Sequence, residues 1–307
     1  MQQDTAGDPI SGIKWSRRTT RKVAQELATL GIVVSKNTVG RLLRQMNYKL
    51  RRNRKQIAAT KHPLRNQQFL YIGEQRQRFA SQGLPILSVD SKKKELIGPF
   101  KNPGVQWGRQ PHPVYDHDFR SQAKALVTPR GIYDTQANRG SVFVGLSHDT
   151  PTFAADTIAQ WWQLEGRCRY PQAHEIFLLA DGGGSSGPRC RAWKKALQDK
   201  VCNPFGLRIT VSHYPPGASK WNPIEHRLFS EISKNWAGQP LLDLETTLNF
   251  IRTTKTQSGL TVTAYLIPDQ YETGIKISDR QMRQLNLVKH ETLGLWNYTL
   301  HPAPNVN

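Results

Sequence analysis

The sequence predicts a mixed α/β (α+β) body preceded by a small basic helical arm, and three observations predict it. Two short apolar runs, one holding Ile86, Leu87 and Val89 and the other spanning Ile176 to Ala180, are bounded by Gly, Pro or acids. Runs of that length fit central strands covered on both faces. Segments of helical period alternate with these and with further strand candidates, the pattern of layered sheet and helix. Finally, the first 79 residues carry 17 Lys or Arg against 4 Asp or Glu, so that +13 of the formal +20 charge precedes the body.

The arm comes first. Val23, Leu27 and Leu30 recur at i, i+4 and i+7, one face of a helix that Gly31 ends. Ser35 is placed to cap a second helix, in which Val39, Leu42, Leu43 and Met46 repeat the pattern. Two short helices joined by a tight turn suit a helix-turn-helix, whose second helix enters the major groove of DNA. Lys36, Asn37, Arg41, Arg44 and Gln45 supply the polar face of that helix. The run KLRRNRKQ follows, and its Arg51, Arg52, Arg54 and Lys55 are candidates for phosphate contact. The expected DNA-binding arm is therefore 1–61.

A connecting helix is expected over 62–84, with Phe69, Leu70, Ile72 and Phe79 as its apolar positions. The body is expected over 85–240. Its other strands are GIYD near Ile132, SVFVGLS from Ser141 to Ser147 and LRITVSHY from Leu207 to Tyr214. Helices are expected over Ala154 to Glu165, Arg189 to Lys200 and Pro223 to Trp236. The stretch 98–130, rich in Pro, Gly, His and charge, reads as an extended insertion. Residues 241–307 are expected as a C-terminal extension.

Composition limits the function classes. With 37% hydrophobic residues the chain has material for a sizeable core, and a pI near 10.1 points to a polyanionic partner, nucleic acid first. Cys168, Cys190 and Cys202 form no CxxC pair and, with His, no zinc spacing. No signal peptide opens the chain, and no apolar run approaches the ~20 residues that span a bilayer. A soluble protein of a reducing cytoplasm is expected.

The chemistry is read from acids. Asp90 and Asp181 stand where the two buried strands end, the edge at which α/β sheets bind ligands. Glu225 follows HYPPGASKWNP and opens the amphipathic IEHRLFSEI, with Pro223 placed to start that helix. Three converging carboxylates repel one another unless cations neutralise them, which implies Mg²⁺ or Mn²⁺. Two such ions about 3.5–4 Å apart suit phosphoryl transfer on DNA or RNA. Lys92, Lys93, Lys94 and Lys220 are candidate DNA contacts, and Gly182 to Gly184 allow a phosphate backbone to come close. Asn222 and His226 flank Glu225 as candidate orienting groups. Asp116, His117, Asp118, Asp149 and Glu231 rank below these.

The segments SVDSKKKELIG, LLADGGGSSG and PPGASKWNPIEHRLFS closely resemble the Rhodopirellula-type DDE transposases, bacterial insertion-sequence enzymes related to the Tc/mariner superfamily. The likeness runs from about Gly7 to His301, and its most specific match is NPIE at Asn222 to Glu225. It implies an RNase H-like, retroviral integrase-like core with a central mixed sheet. The first Asp then lies on the first strand, the second on the fourth and the Glu on a later helix, which are the places of Asp90, Asp181 and Glu225. The implied activity is metal-dependent cleavage that frees a 3′-OH at each element end, followed by strand transfer into target DNA. Its partners are terminal inverted repeats and target DNA, held by a homodimer or larger assembly, in a bacterial, nucleoid-associated setting. Two other readings stay open: an inactive or domesticated DNA-binding remnant, and an RNase H-like nuclease without strand transfer. Nineteen residues precede Thr20, fewer than the resemblance implies, so an N-terminally shortened copy is expected.

Overall fold

In a computed structural model the described residues are 5–7, 14–16, 18–50, 62–218 and 221–303. The chain divides into two compact units, Met1–Ile57 and Ala58–Asn307. In the first, β1 (Thr5–Gly7) pairs antiparallel with β2 (Lys14–Ser16). The two expected helices follow as α1 (Thr20–Thr29) and α2 (Lys36–Gln45). Each begins on a hydroxyl cap: Thr19 Oγ1 accepts from Lys22 N at 3.3 Å, and Ser35 Oγ accepts from Thr38 N at 3.1 Å. Only Val23 and Val39 of the predicted stripes are buried, while Leu30, Leu42 and Met46 stay exposed.

The second unit is built on a nine-stranded mixed sheet. Its centre is β3 (Ile86–Ser91), flanked by antiparallel β5 (Ala125–Asp134) and parallel β7 (Glu175–Ala180). β6 (Arg139–Gly145) pairs antiparallel with β5, and β8 (Arg208–His213) pairs parallel with β7. A short β4 (Glu95–Ile97) adds to β5. An antiparallel three-strand meander followed by two strands parallel to the first is the RNase H-like arrangement that the resemblance implies.

The strands alternate between two cores. On one face Leu87, Val89, Ile132, Leu178 and Val211 pack against α4 (Pro151–Trp161) and α6 (Arg191–Leu197). α4 runs through a π-turn, Trp162–Gly166, into the single turn α5 (Arg167–Arg169). α6 runs likewise through Gln198–Cys202 into α7 (Asn203–Phe205). On the other face, α3 (Arg65–Ser81) lays Ile72 and Phe79 on Ile86, Phe177 and Leu179, with the Phe79 and Phe177 rings stacked at 5.0 Å. Helix α3 is thus packed into the body; Leu70, expected on its apolar side, is exposed. Beside it a π-turn, Glu225–Phe229, leads into α8 (Ser230–Asn235), and these pack with α9 (Leu244–Arg252) on Val142, Val144 and Tyr133.

Residues 241–307 are not an appendage. β9 (Thr261–Ile267) pairs parallel with β6 along its whole length. Beyond α10 (Asp279–Arg283), β10 (Leu287–Lys289) pairs with β11 (Asn297–Leu300), and β11 pairs with β8. Both edges of the sheet therefore come from the segment expected to lie outside it. The insertion expected over 98–130 is shorter, because 125–130 already belong to β5. The three cysteines are free thiols, and no helix among the described residues is long and apolar enough to cross a membrane.

Candidate active site

Asp90 and Asp181 are brought together by strand register. In the parallel β3–β7 pair Val89 stands opposite Ala180, so each acid lies one step farther along, at the same end of neighbouring strands. Asp90 is held at both oxygens: Oδ1 accepts from Ser91 N at 2.8 Å and Oδ2 from Asn222 Nδ2 at 3.1 Å. Asn222 is fully buried and accepts through Oδ1 from Ser88 Oγ at 2.6 Å. Ser88 Oγ in turn receives Ile224 N at 3.4 Å, which fixes the chain just before Glu225. The predicted orienting residue Asn222 therefore steadies Asp90 rather than Glu225. His226 is exposed.

Asp181 Oδ1 accepts from Gly183 N at 3.1 Å. Its carbonyl lies 3.0 Å from His213 Nδ1, which must carry the proton, leaving Nε2 to accept from the Tyr298 hydroxyl at 3.3 Å. Burial pushes His213 down to about 4, so it is a neutral strut at neutral pH.

Glu225 is placed by two glycines. A Cβ at Gly131, the partner of Asp90 across β3 and β5, would lie 2.6 Å from the Phe229 ring and 2.9 Å from Ile224 Cδ1. A Cβ at Gly140 would lie 2.3 Å from Leu228. Bare backbone at both positions lets the π-turn sit flat on the sheet beside Asp90.

The three acids are electrically unbalanced. Burial first, and the Asp181 charge second, push Asp90 up to about 7. Burial also raises Asp181, against the Gly183 N–H and Arg130. Burial raises Glu225, with Asp181 adding and with His226 and Lys92 opposing. Carboxylate oxygens are the donors that suit a hard divalent cation. Among the described residues no three His, Cys, Asp or Glu side chains are drawn up around one point.

The candidate DNA contacts fall into three groups. Lys36, Asn37, Arg41 and Arg44 are exposed on α2, and Lys93 and Lys94 are exposed beyond β3. Lys92 is a correction: it is buried, ion-paired with Glu95 at 2.5 Å and set 4.7 Å from the Trp236 ring centre, so it faces no solvent. Arg51, Arg52, Arg54, Lys55 and Lys220 lie outside the described residues. A groove of about 800 Å³ opens beside Asp181, lined among others by Gly182, Gly183, Gly184, Tyr214, Leu295 and Trp296.

Sequence reasoning missed Arg130. Its guanidinium, 1% exposed, acts on both Asp90 and Asp181. Arg130 closes the stretch expected as the 98–130 insertion, and Pro129 and Gly131 on either side of it hide the strand. Asp149 joins it through an ion pair at 3.8 Å, whereas Asp116, His117 and Asp118 are exposed in the 98–124 segment.

No curated protein matches the chain. Among solved structures it is similar to the Mos1 transposase paired-end complex with left transposon end, at 16% identity and TM-score 0.45, over 76% of this chain and 65% of that one. It is also similar to the Mos1 strand transfer complex (15%, TM-score 0.44, 76% and 64%) and to the mariner Mos1 paired-end complex with Mg (14%, TM-score 0.45, 76% and 65%). The chain thus spans about 65% of the length of the Mos1 chains it matches. A sequence profile of the Rhodopirellula transposase DDE domain matches residues 1–302, across the sheet and all three carboxylates. The chain belongs to the Rhodopirellula transposase DDE domain family.

Proposed function

We propose that this protein is a DNA transposase that cleaves at the ends of its element, frees a 3′-hydroxyl and joins it to target DNA. The observation that carries the reading is the half-buried, mutually repelling pair Asp90 and Asp181 at the same end of neighbouring strands, in a chain of this family, with Glu225 as the third acid of the proposed set. The carboxylates fit Mg²⁺ or Mn²⁺: Asp90, Asp181 and Glu225 would hold the ions. Such ions, when bound, lower the pKa of the attacking water or hydroxyl and polarise the attacked phosphate.

The chain's own groups align and exclude. Asn222 keeps Asp90 turned toward the edge, and the neutral His213 fixes the main chain at Asp181. Exposed Gly182, Gly183 and Gly184 let a phosphate backbone come close, with Lys93 and Lys94 to hold neighbouring phosphates. The arm, 1–61, would read the terminal repeats, α2 entering the major groove with Lys36, Asn37, Arg41 and Arg44, and Arg51, Arg52, Arg54 and Lys55 on the backbone. The reaction joins two ends, so two or more protomers would act together, in the bacterial cytoplasm where the nucleoid lies. Solved Mos1 structures include a paired-end complex with the left transposon end and paired-end complexes with Mn and with Mg.

The test gives purified protein and Mg²⁺ a duplex bearing the inverted repeats that bracket the gene, beside an Asp181→Asn variant. Nicked ends with a 3′-hydroxyl and joined products are expected from the native chain alone. Equal activity in the variant, or cleavage in excess chelator, would overturn the reading.

A further inference from the structure

Arg130 has no part in the reaction just proposed, yet the fold buries it almost completely. Desolvating a guanidinium is so unfavourable that a well-packed apolar side chain is often equally stable in its place. Two of its nitrogens, Nε and Nη2, have no hydrogen-bond partner among the described residues. Stability alone does not account for such a side chain.

Its third nitrogen shows what it does. Nη1 donates to Ser91 Oγ at 3.0 Å and to Ser185 Oγ at 3.2 Å. Ser91 adjoins Asp90, and Ser185 lies four residues past Asp181, so one nitrogen ties together the segments that carry both carboxylates. Ser185 Oγ donates onward to Asp149 Oδ1 at 2.9 Å, and Asp149 stands 3.8 Å from Nη1. Register places Arg130 opposite Ser91, and so on the sheet face away from Asp90 and its partner Gly131. The contact is made from behind the acids. The loop it holds begins with three glycines, which resist ordering more than any other residue.

We propose that Arg130, Ser185 and Asp149 form a clamp of positioning residues that fixes the Gly182–Gly187 loop and thereby sets Asp181 against Asp90. The consequence for catalysis rests on the transposase reading; the clamp itself does not.

The experiment compares Ser185→Ala and Asp149→Asn with the native full-length chain. Hydrogen exchange of the metal-free protein reads the loop, calorimetric titration with Mn²⁺ alone reads the acids, and cleavage is followed against Mn²⁺ concentration. Both variants are expected to exchange the Gly182–Gly187 amides about tenfold faster and to bind Mn²⁺ about tenfold more weakly. Saturating Mn²⁺ should restore cleavage, with KM for DNA unchanged. Arg130→Lys should recover part of the loop protection that Arg130→Met loses; if the Met variant does not fold, the Ser185 and Asp149 variants carry the test. Native exchange and native Mn²⁺ affinity in both would overturn the clamp, even in a chain that cleaves DNA. Loss of cleavage in Asp149→Asn at every Mn²⁺ concentration, with the loop undisturbed, would make Asp149 a catalytic group and overturn it also. A native chain that fails to cleave any end-bearing duplex defeats the transposase reading, and loop exchange still decides the clamp.

Discussion

Asn222 links Ser88, Asp90 and the approach to Glu225 through one buried amide. Replacement by Ala leaves the Ser88 hydroxyl without that acceptor and frees Asp90 to rotate. A loss of about 1–3 kcal/mol in stability is expected, with turnover reduced about 10- to 100-fold; denaturant unfolding and single-turnover cleavage check the two separately. Asp90 also gives a pH dependence. Its folded pKa, about 7, lies above the unfolded carboxylate value, so its contribution to stability is complete below about pH 4 and is lost as pH rises through 7. The depressed His213 pulls the other way below its unfolded pKa, so the two chains are compared: between pH 5 and pH 8 the metal-free native chain should lose more, or gain less, in melting temperature than Asp90→Asn does. Mg²⁺ should raise the pH 8 melting temperature of the native chain more than that of the variant. At this scale Asp90 and Asp181 stood out as candidates because apolar strands run straight into them. Arg130 was not, since no local pattern distinguishes a buried cation between Pro and Gly from one in a surface turn.

Helices that interrupt their α pattern recur in the body, at Trp162–Gly166, Gln198–Cys202 and Glu225–Phe229. π-turns are rare and concentrate at functional sites, and Glu225 is the first residue of one. Sequence period alone cannot reveal them, because a single widened turn leaves the apolar stripe nearly intact; the expected helix from Pro223 to Trp236 was right in extent and silent on the turn that aims Glu225. The glycines beneath it are a sharper handle. In Gly131→Ala the new methyl meets Phe229 and Ile224, both buried and unable to swing aside. Overpacking of about 1–3 kcal/mol is expected, together with a fall in cleavage larger than the stability loss explains. Adding Phe229→Leu should return part of the activity; a double variant as inactive as the single would show that the displaced turn is not the cause.

Across the whole body, the sheet is closed by strands made last. β9 and β11 pair with β6 and β8, partners about a hundred residues earlier, and their side chains alternate too briefly to announce membership of the sheet. That is why 241–307 read as an extension while β3, β7 and β8 were legible from apolar runs alone. A chain ending at Pro240 should show no cooperative thermal transition and should bind a hydrophobic dye, whereas a cooperative melt would mean that the central five strands suffice.

The late strands also bear on synthesis. While a ribosome is still making the chain, β8 has no partner on its outer side and Tyr298 has not yet reached His213, the strut behind Asp181. Non-local pairing of this kind is slow and waits for its last component. Protease protection of stalled nascent chains should therefore rise only once Leu300 has left the exit tunnel. The proposed active centre would be held only after β11 has emerged, so that shorter nascent chains carry the acids without the means to hold them.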